Sequence, residues 1–246
     1  KWGIPVPNDD SQTIYVWVDA LINYYSATQF VEGKKRFWPA DLHLIGKDIL
    51  WFHSVIWQAL LIAAGIEELP GTIFAHGFFT VDGQKMSKSL GNVISPKQLV
   101  DKYGVDGTRY LIISAYPFGS DGDISLDRFD KKYNADLANG LGNLVARIER
   151  LAENAGLDGT KLKTDQVSLE SSLIPINLNI QLLQFDKALE YVWKWIGTLN
   201  NWIDRERLWE KSPEESIKKL GKIIKGTQGV ASIRQIAEAL RPFLPS

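Results

Sequence analysis

The spacing of apolar residues changes character once along the chain. Up to about residue 127, short β-branched or aromatic runs alternate with helical stretches; beyond Asp130 the apolar positions recur at helical spacing throughout. Residues 13–18, Thr-Ile-Tyr-Val-Trp-Val, predict a strand, and 19–27 a helix or turn behind it. Residues 42–45 predict a second short strand that stops at Gly46. From 48 to 64 the sequence is almost wholly apolar, with no glycine or proline before Gly65. That predicts one buried helix, N-capped by Asp48 and closed by Gly65 just past its end. Residues 72–75 predict another strand. A strand, a helix and a strand in so short a length make a parallel α/β unit, because parallel strands need a crossover between them.

Phe78-Phe79-Thr80-Val81 followed by Asp82-Gly83 predicts a strand running into a tight turn. Residues 96–116 read as two short helices and 117–127 as a connection rich in Pro, Gly and Asp. Helices are expected at 128–155, 172–184, 185–204, 212–226 and 228–241, with a polar break over 156–165. The expected fold class is α/β, with too few strands for a complete doubly wound sheet, followed by an all-α helical bundle. Lys218, Lys219, Lys222 and Lys225 fall at helical spacing and read as a solvated basic stripe.

Composition narrows the chemistry. The 246 residues contain no cysteine, which excludes a disulfide scaffold, a thiol catalyst, an iron–sulfur cluster and a Cys-type zinc site within them. The longest apolar run, 55–66, holds Gln58 and falls short of the roughly 18 residues a membrane span needs. The first residues lack a signal peptide's layout, so a soluble, cytoplasmic protein with no membrane partner is expected. Lys+Arg 28 against Asp+Glu 29 argues against a uniformly basic surface and leaves room for a local basic patch.

The residues most charged with chemistry are Lys85-Met86-Ser87-Lys88-Ser89. They put two ammonium groups three positions apart in a polar loop between Gly83 and Gly91. Such point charges on flexible stems neutralise triphosphate oxygens as charge builds on a leaving pyrophosphate. No Gly-x-x-x-x-Gly-Lys-Ser/Thr loop occurs anywhere, so this is not a Walker-type site. Earlier in the chain, Ile49, His53 and Trp57 share one helical face, with Phe52 on the adjoining ridge. A wall of indole, imidazole and phenyl suits a thioether, whose contacts with aromatic rings contribute about 0.3–1.5 kcal/mol each. Gly46 permits close backbone approach to a nucleotide, and Asp48 can accept from a ribose hydroxyl or an ammonium. Asn143 and Arg147, four apart, project from one helical face; Asn can read a base edge, and Arg can stack on or bond to bases.

The five-residue loop is the KMSKS signature of class I aminoacyl-tRNA synthetases, and residues 75–92 around it closely resemble the methionyl-tRNA synthetase family. Residues 16–24 (Val-Trp-Val-Asp-Ala-Leu-Ile-Asn-Tyr), 43–53 (His-Leu-Ile-Gly-Lys-Asp-Ile-Leu-Trp-Phe-His), 134–139 and 143–147 resemble it as well, in the family's order. The resemblance implies the second half of a Rossmann-type catalytic domain over 1–76, a KMSKS and stem-contact region over 77–130, and a helical anticodon-binding bundle over 131–246. It implies a methionine pocket with Trp17, Ala20 and Tyr24 on one wall and Ile49, Phe52, His53 and Trp57 on the other. ATP, as its Mg2+ complex, would be bound by Gly46, Asp48, Lys85, Met86, Ser87 and Lys88. Lys85 and Lys88 would stabilise the transition state as the methionine carboxylate attacks the α-phosphate. No general base is required, since that carboxylate is already ionised at neutral pH. Asn143, Arg147 and Trp209 would read the anticodon of tRNA(Met). Leu21 and Leu208 stand where some family members carry proline.

The family's His-Ile-Gly-His motif has no match, and the three histidines, His43, His53 and His76, are isolated. The inserted acceptor-end domain, which holds zinc on cysteines in many relatives, has no counterpart either, so no zinc is expected. The chain is thus expected to be the second part of the catalytic core with most of the anticodon domain. It should need the N-terminal part of the same enzyme as partner and be inactive alone. The sequence leaves two other readings open. One is a tRNA-binding module made of 131–246, with the KMSKS loop vestigial. The other is a class I synthetase for valine, isoleucine or leucine, which should lack the Trp17, Tyr24, His53 and Trp57 set.

Overall fold

The computed structural model describes residues 2–157, 169–225 and 231–245. The chain divides into two compact units, Lys1–Phe78 with Gly119–Asp121, and Phe79–Phe118 with Gly122–Ser246. In the first, an antiparallel pair, β1 (Pro5–Val6) and β2 (Asp9–Thr13), leads into helix α1 (Val16–Gln29). Strands β3 (Leu42–Gly46) and β4 (Thr72–His76) run parallel, in register from Leu42 opposite Thr72 to Gly46 opposite His76. The crossover between them contains α2 (Trp57–Ala63). This is the expected α/β unit, and its core is Leu21, Trp57 and Leu61, all essentially without solvent contact.

Two local expectations are corrected here. The strand expected at 13–18 ends at Thr13, and Val16, Trp17 and Val18 open α1 instead. Trp17, Leu21, Tyr24 and Tyr25 recur at helical spacing and pack into the Leu21–Trp57–Leu61 core, and that burial overrides the strand preference of the β-branched residues. The single helix expected over 48–64 is three segments: a 3-10 turn Lys47–Ile49, a π-helical stretch Phe52–Ile56, then α2. Asp48 lies inside the first turn, and Gly46 takes the cap position with no side-chain cap. Nor is the segment buried all round, since Trp51, Val55 and Ile62 are exposed. A two-stranded sheet and one helix offer it only one packing face. Its end is as expected: Gly65 (φ 75°) donates to Ile62 and Ile66 to Leu61, the paired bonds of a Schellman motif.

The second unit opens with the hairpin β5 (Phe79–Val81) and β6 (Gln84–Lys85), turned at Asp82 and Gly83, both with positive φ. Strand β7 (Gly122–Asp123), hidden in the connection expected at 117–127, pairs parallel to β5. Asp123 accepts from the Gly83 N–H (2.8 Å) and the Thr80 hydroxyl (3.0 Å), which hold its carboxyl below the ordinary range and lock the hairpin. Helix α3 (Pro96–Ser114) breaks at Gly104 (φ 72°), giving the two short helices expected there. The helix expected at 128–155 is divided into α4 (Leu126–Lys132), a π-helical stretch Tyr133–Gly142, and α5 (Asn143–Asn154). Gly140 lies in the wide turns, where a Cβ would stand 3.1 Å from the Trp193 ring.

Helices α6 (Leu169–Gln181), α7 (Phe185–Glu206), α8 (Pro213–Lys225) and α9 (Ile233–Leu240) complete the bundle. On α7, Leu189, Val192, Ile196, Leu199 and Ile203 alternate spacings of three and four and are all buried, making it the central helix. The expected polar break lies outside the described residues from 158 on, as do the ends of the last two expected helices at 226 and 228–230. The lysine stripe on α8 is not uniformly solvated: Lys219 is ion-paired to Glu206, and the side chain of Lys225 lies outside the described residues.

Candidate functional site

In the first unit α1 and the segment after β3 bring aromatic rings together. The Trp17 indole stacks on Phe52 with centroids 4.2 Å apart and planes at 10°. His53 is buried, and its Nδ1 lies 3.0 Å from the Ile49 carbonyl oxygen. A carbonyl only accepts, so Nδ1 carries the proton; on the neutral ring Nε2 then accepts from the Tyr24 hydroxyl, 3.0 Å away. Trp57 is wholly buried between Tyr24 and Trp38, a backing layer for these rings. Ala20 sits on α1 between Trp17 and Tyr24, one turn from each, and Ile49 is half-buried and contributes the carbonyl that orients His53. Its rings are polarizable, and Tyr24 and His53 are hydrogen-bonded within it, an arrangement suited to an apolar, sulfur-bearing side chain.

One member was not singled out from the sequence. His43 on β3 is 6 % exposed, and its ring meets Tyr24 edge-on at 4.6 Å and His53 at 6.1 Å. Burial, and secondarily the neighbouring His53, hold its pKa below the ordinary histidine value. The signal was available: alternation along β3 turns His43 and Ile45 to one side, and both are buried while Leu42 and Leu44 are exposed.

At the end of β3, Gly46 leaves room for the Asp48 carboxylate, whose Oδ1 would stand 2.8 Å from a Cβ at that position. The adjacent Lys47 bonds Asp121 at 2.5 Å, and Asp121 also accepts from the Phe78 N–H at 2.8 Å. Lys47 first, then that N–H, hold the Asp121 carboxyl below its ordinary range.

The KMSKS residues lie in the second unit. Lys85 closes β6, and Ser87 caps a 3-10 turn, Lys88–Leu90, that Gly91 ends in a left-handed conformation. Asn92 staples the turn: its Oδ1 accepts from the Ser87 N–H at 2.8 Å and its Nδ2 donates to the Lys85 carbonyl at 3.4 Å. Met86 turns into the apolar core, whereas Lys88 is exposed. The turn thus presents its ammonium group from a fixed base.

Further along the same unit, α5 and the 3-10 turn Leu208–Glu210 form a groove of about 270 Å³. Asn143, Arg147 and Trp209 all line it, together with Arg150 and Asn154, which the sequence did not single out although they continue the same helical stripe. The Arg147 guanidinium lies over the Trp209 ring, 5.3 Å from its centroid, and is ion-paired to Asp204. Leu208 is buried and anchors the turn, leaving Trp209 52 % exposed. Among the described residues, no group of three or more His, Asp or Glu side chains converges as a metal site would, and no helix is long and apolar enough to cross a membrane.

Residues 1–149 match the family model for tRNA synthetases class I (M). The chain is 40% identical over 259 residues to a methionine–tRNA ligase of Caldanaerobacter subterraneus subsp. tengcongensis, covering all of this chain and 40% of that protein. It is 39% identical over 257 residues to the methionine–tRNA ligase of Clostridium acetobutylicum, covering 99% and 39%. It thus spans about two fifths of the length of these curated relatives. The structure resembles that of Mycobacterium tuberculosis methionyl-tRNA synthetase in complex with methionyl-adenylate, with a TM-score of 0.79 and 34% identity over all of this chain and 50% of that one. A signature loop, an aromatic cluster and a bundle groove on the residues the motifs single out, together with a match over 1–149, place the chain in one family: it belongs to the class I tRNA synthetases of the methionine group, the methionyl-tRNA synthetases.

Proposed function

We propose that this chain carries the side-chain pocket, the KMSKS loop and the anticodon groove of a cytoplasmic methionine–tRNA ligase. The observation that carries the reading is the first unit's ring cluster: Trp17 on Phe52, and Tyr24 bonded to an His53 whose tautomer is set by Ile49. Methionine's thioether lies among these rings, with Ala20 leaving room beside Trp17 and Tyr24 and Trp57 backing them. In the reaction a carboxylate oxygen of methionine attacks the α-phosphorus of ATP, the bond to the β-phosphate oxygen breaks, and pyrophosphate leaves. Methionyl-adenylate remains, the species present in the M. tuberculosis structure. A ribose hydroxyl at the 3′ end of initiator or elongator tRNA(Met) then attacks its carbonyl and AMP leaves.

Lys85 and Lys88 offset charge on the triphosphate, which arrives as its Mg2+ complex, while Ser87 and Met86 hold the turn that presents them. Gly46 allows close approach of the nucleotide and Asp48 accepts from a hydroxyl or ammonium. Asn143, Arg147 and Trp209 take anticodon bases by hydrogen bonding and stacking. The test is methionine-dependent ATP–pyrophosphate exchange by the chain joined to the segment that precedes the matching residues in the Caldanaerobacter relative. Lys88→Ala should slow exchange about 100-fold or more, as removal of a transition-state charge partner does. Exchange unaffected by Lys88→Ala favours the tRNA-binding module instead.

A further inference from the structure

We infer that Arg150 is a phosphate-contact residue for the single-stranded RNA loop that enters the α5 groove, distinct in role from Arg147. The inference rests on the anticodon reading of that groove and adds to it a second kind of contact. Asn143, Arg147, Arg150 and Asn154 follow one another at spacings of four, three and four, and all line the groove beside Trp209. On a continuous α-helix eleven residues rise about 16 Å, so the stripe is longer than one stacked base needs. The adjoining face, Leu144, Ile148, Leu151 and Ala155, is buried and fixes the rotation of α5, which keeps the stripe at the groove.

The two guanidinium groups on this stripe are in different states. Arg147 is half-buried, ion-paired to Asp204 and laid over the Trp209 indole. Its charge is largely offset and its plane is fixed, as suits stacking and base recognition. Arg150, one turn on, is exposed and has no carboxylate within ion-pairing distance among the described residues. Glu149 is turned to another face of α5, where it lines an apolar cleft with Val145 and Ile236. An exposed, uncompensated guanidinium beside a stacking platform is a partner for the phosphodiester that links stacked bases, by a charge-assisted and often bidentate bond.

The measurement is binding of an anticodon stem-loop RNA with CAU in its loop to the 246-residue chain across a KCl series, with circular dichroism confirming that each variant is folded. Arg150→Ala should weaken binding severalfold and equally for CAU and for altered anticodons. It should also flatten the slope of log affinity against log salt by about 0.7, the release expected for one single-strand phosphate. Arg150→Lys should keep the wild-type slope. An unchanged slope in Arg150→Ala, or a loss confined to one anticodon base, overturns the phosphate assignment. The anticodon reading fails separately: wild-type chain that shows no preference for CAU refutes it even if Arg150→Ala flattens the slope. Wild-type chain that binds no stem-loop overturns both.

Discussion

Each unit contains a tryptophan laid against a flat partner, and the partners differ. In the first, Trp17 stacks on the neutral phenyl of Phe52, with its hydrogen bonds, Tyr24 to His53 and His53 to Ile49, closed inward. In the second, Trp209 lies under the guanidinium of Arg147, beside the exposed Arg150 and Asn143. In the proposed function the first arrangement takes a small apolar group through shape and polarizability, and the second a charged polymer whose bases stack. Ionic strength should therefore separate them. Methionine-side selectivity should be nearly indifferent to salt, and RNA binding should fall steeply as salt rises.

The comparison breaks most severely at Trp57. It is fully buried behind Tyr24, and Trp57→Ala should destabilise the first unit by about 3–5 kcal/mol, read as a lower denaturant midpoint. An effect below about 1 kcal/mol would mean the cluster is not held from behind. Trp209→Ala removes an exposed ring, so it should leave stability unchanged and reduce anticodon stem-loop affinity by about 1–3 kcal/mol. Tyr24→Phe keeps the ring and deletes one hydrogen bond to His53, so methionine affinity should fall by about 0.5–1.5 kcal/mol, with no change in RNA binding. Equal losses of both affinities would deny that the two arrangements serve different ligands.

The smallest effect should come from pH. Burial, and secondarily His53, hold the pKa of His43 below the ordinary histidine value in the folded state. As pH falls through the ordinary histidine value of about 6.5, the unfolded chain therefore binds more protons than the folded one, and stability falls. His43→Leu should flatten the dependence of melting temperature on pH in that window. A dependence as steep as wild type would assign the titration to another group.

The sequence made the parallel α/β unit, the helical bundle and most residues of both arrangements, His43, Arg150 and Asn154 excepted, legible because they depend on local patterns. The run 42–45, Gly65 after an apolar stretch and Asn143 with Arg147 at helical spacing carry their geometry with them. What it concealed depends on the third dimension. Strand β2 is Asp-Asp-Ser-Gln-Thr, with no apolar alternation to read, and β7 is two residues seen only through pairing with β5. The 3-10 and π turns between Gly46 and Trp57 follow a period that no 3.6-residue pattern reports. The commitment of Arg147 to Asp204, 57 positions away, and the contrast with Arg150, exist only in the folded bundle.

The most direct test of the central claim is amino-acid selectivity in ATP–pyrophosphate exchange by the chain joined to the preceding segment of the Caldanaerobacter relative. Methionine, leucine, isoleucine and valine should be compared at low and moderate salt. The account predicts exchange with methionine far above the other three, at a ratio that salt does not change. Equal or greater stimulation by leucine, isoleucine or valine would contradict it.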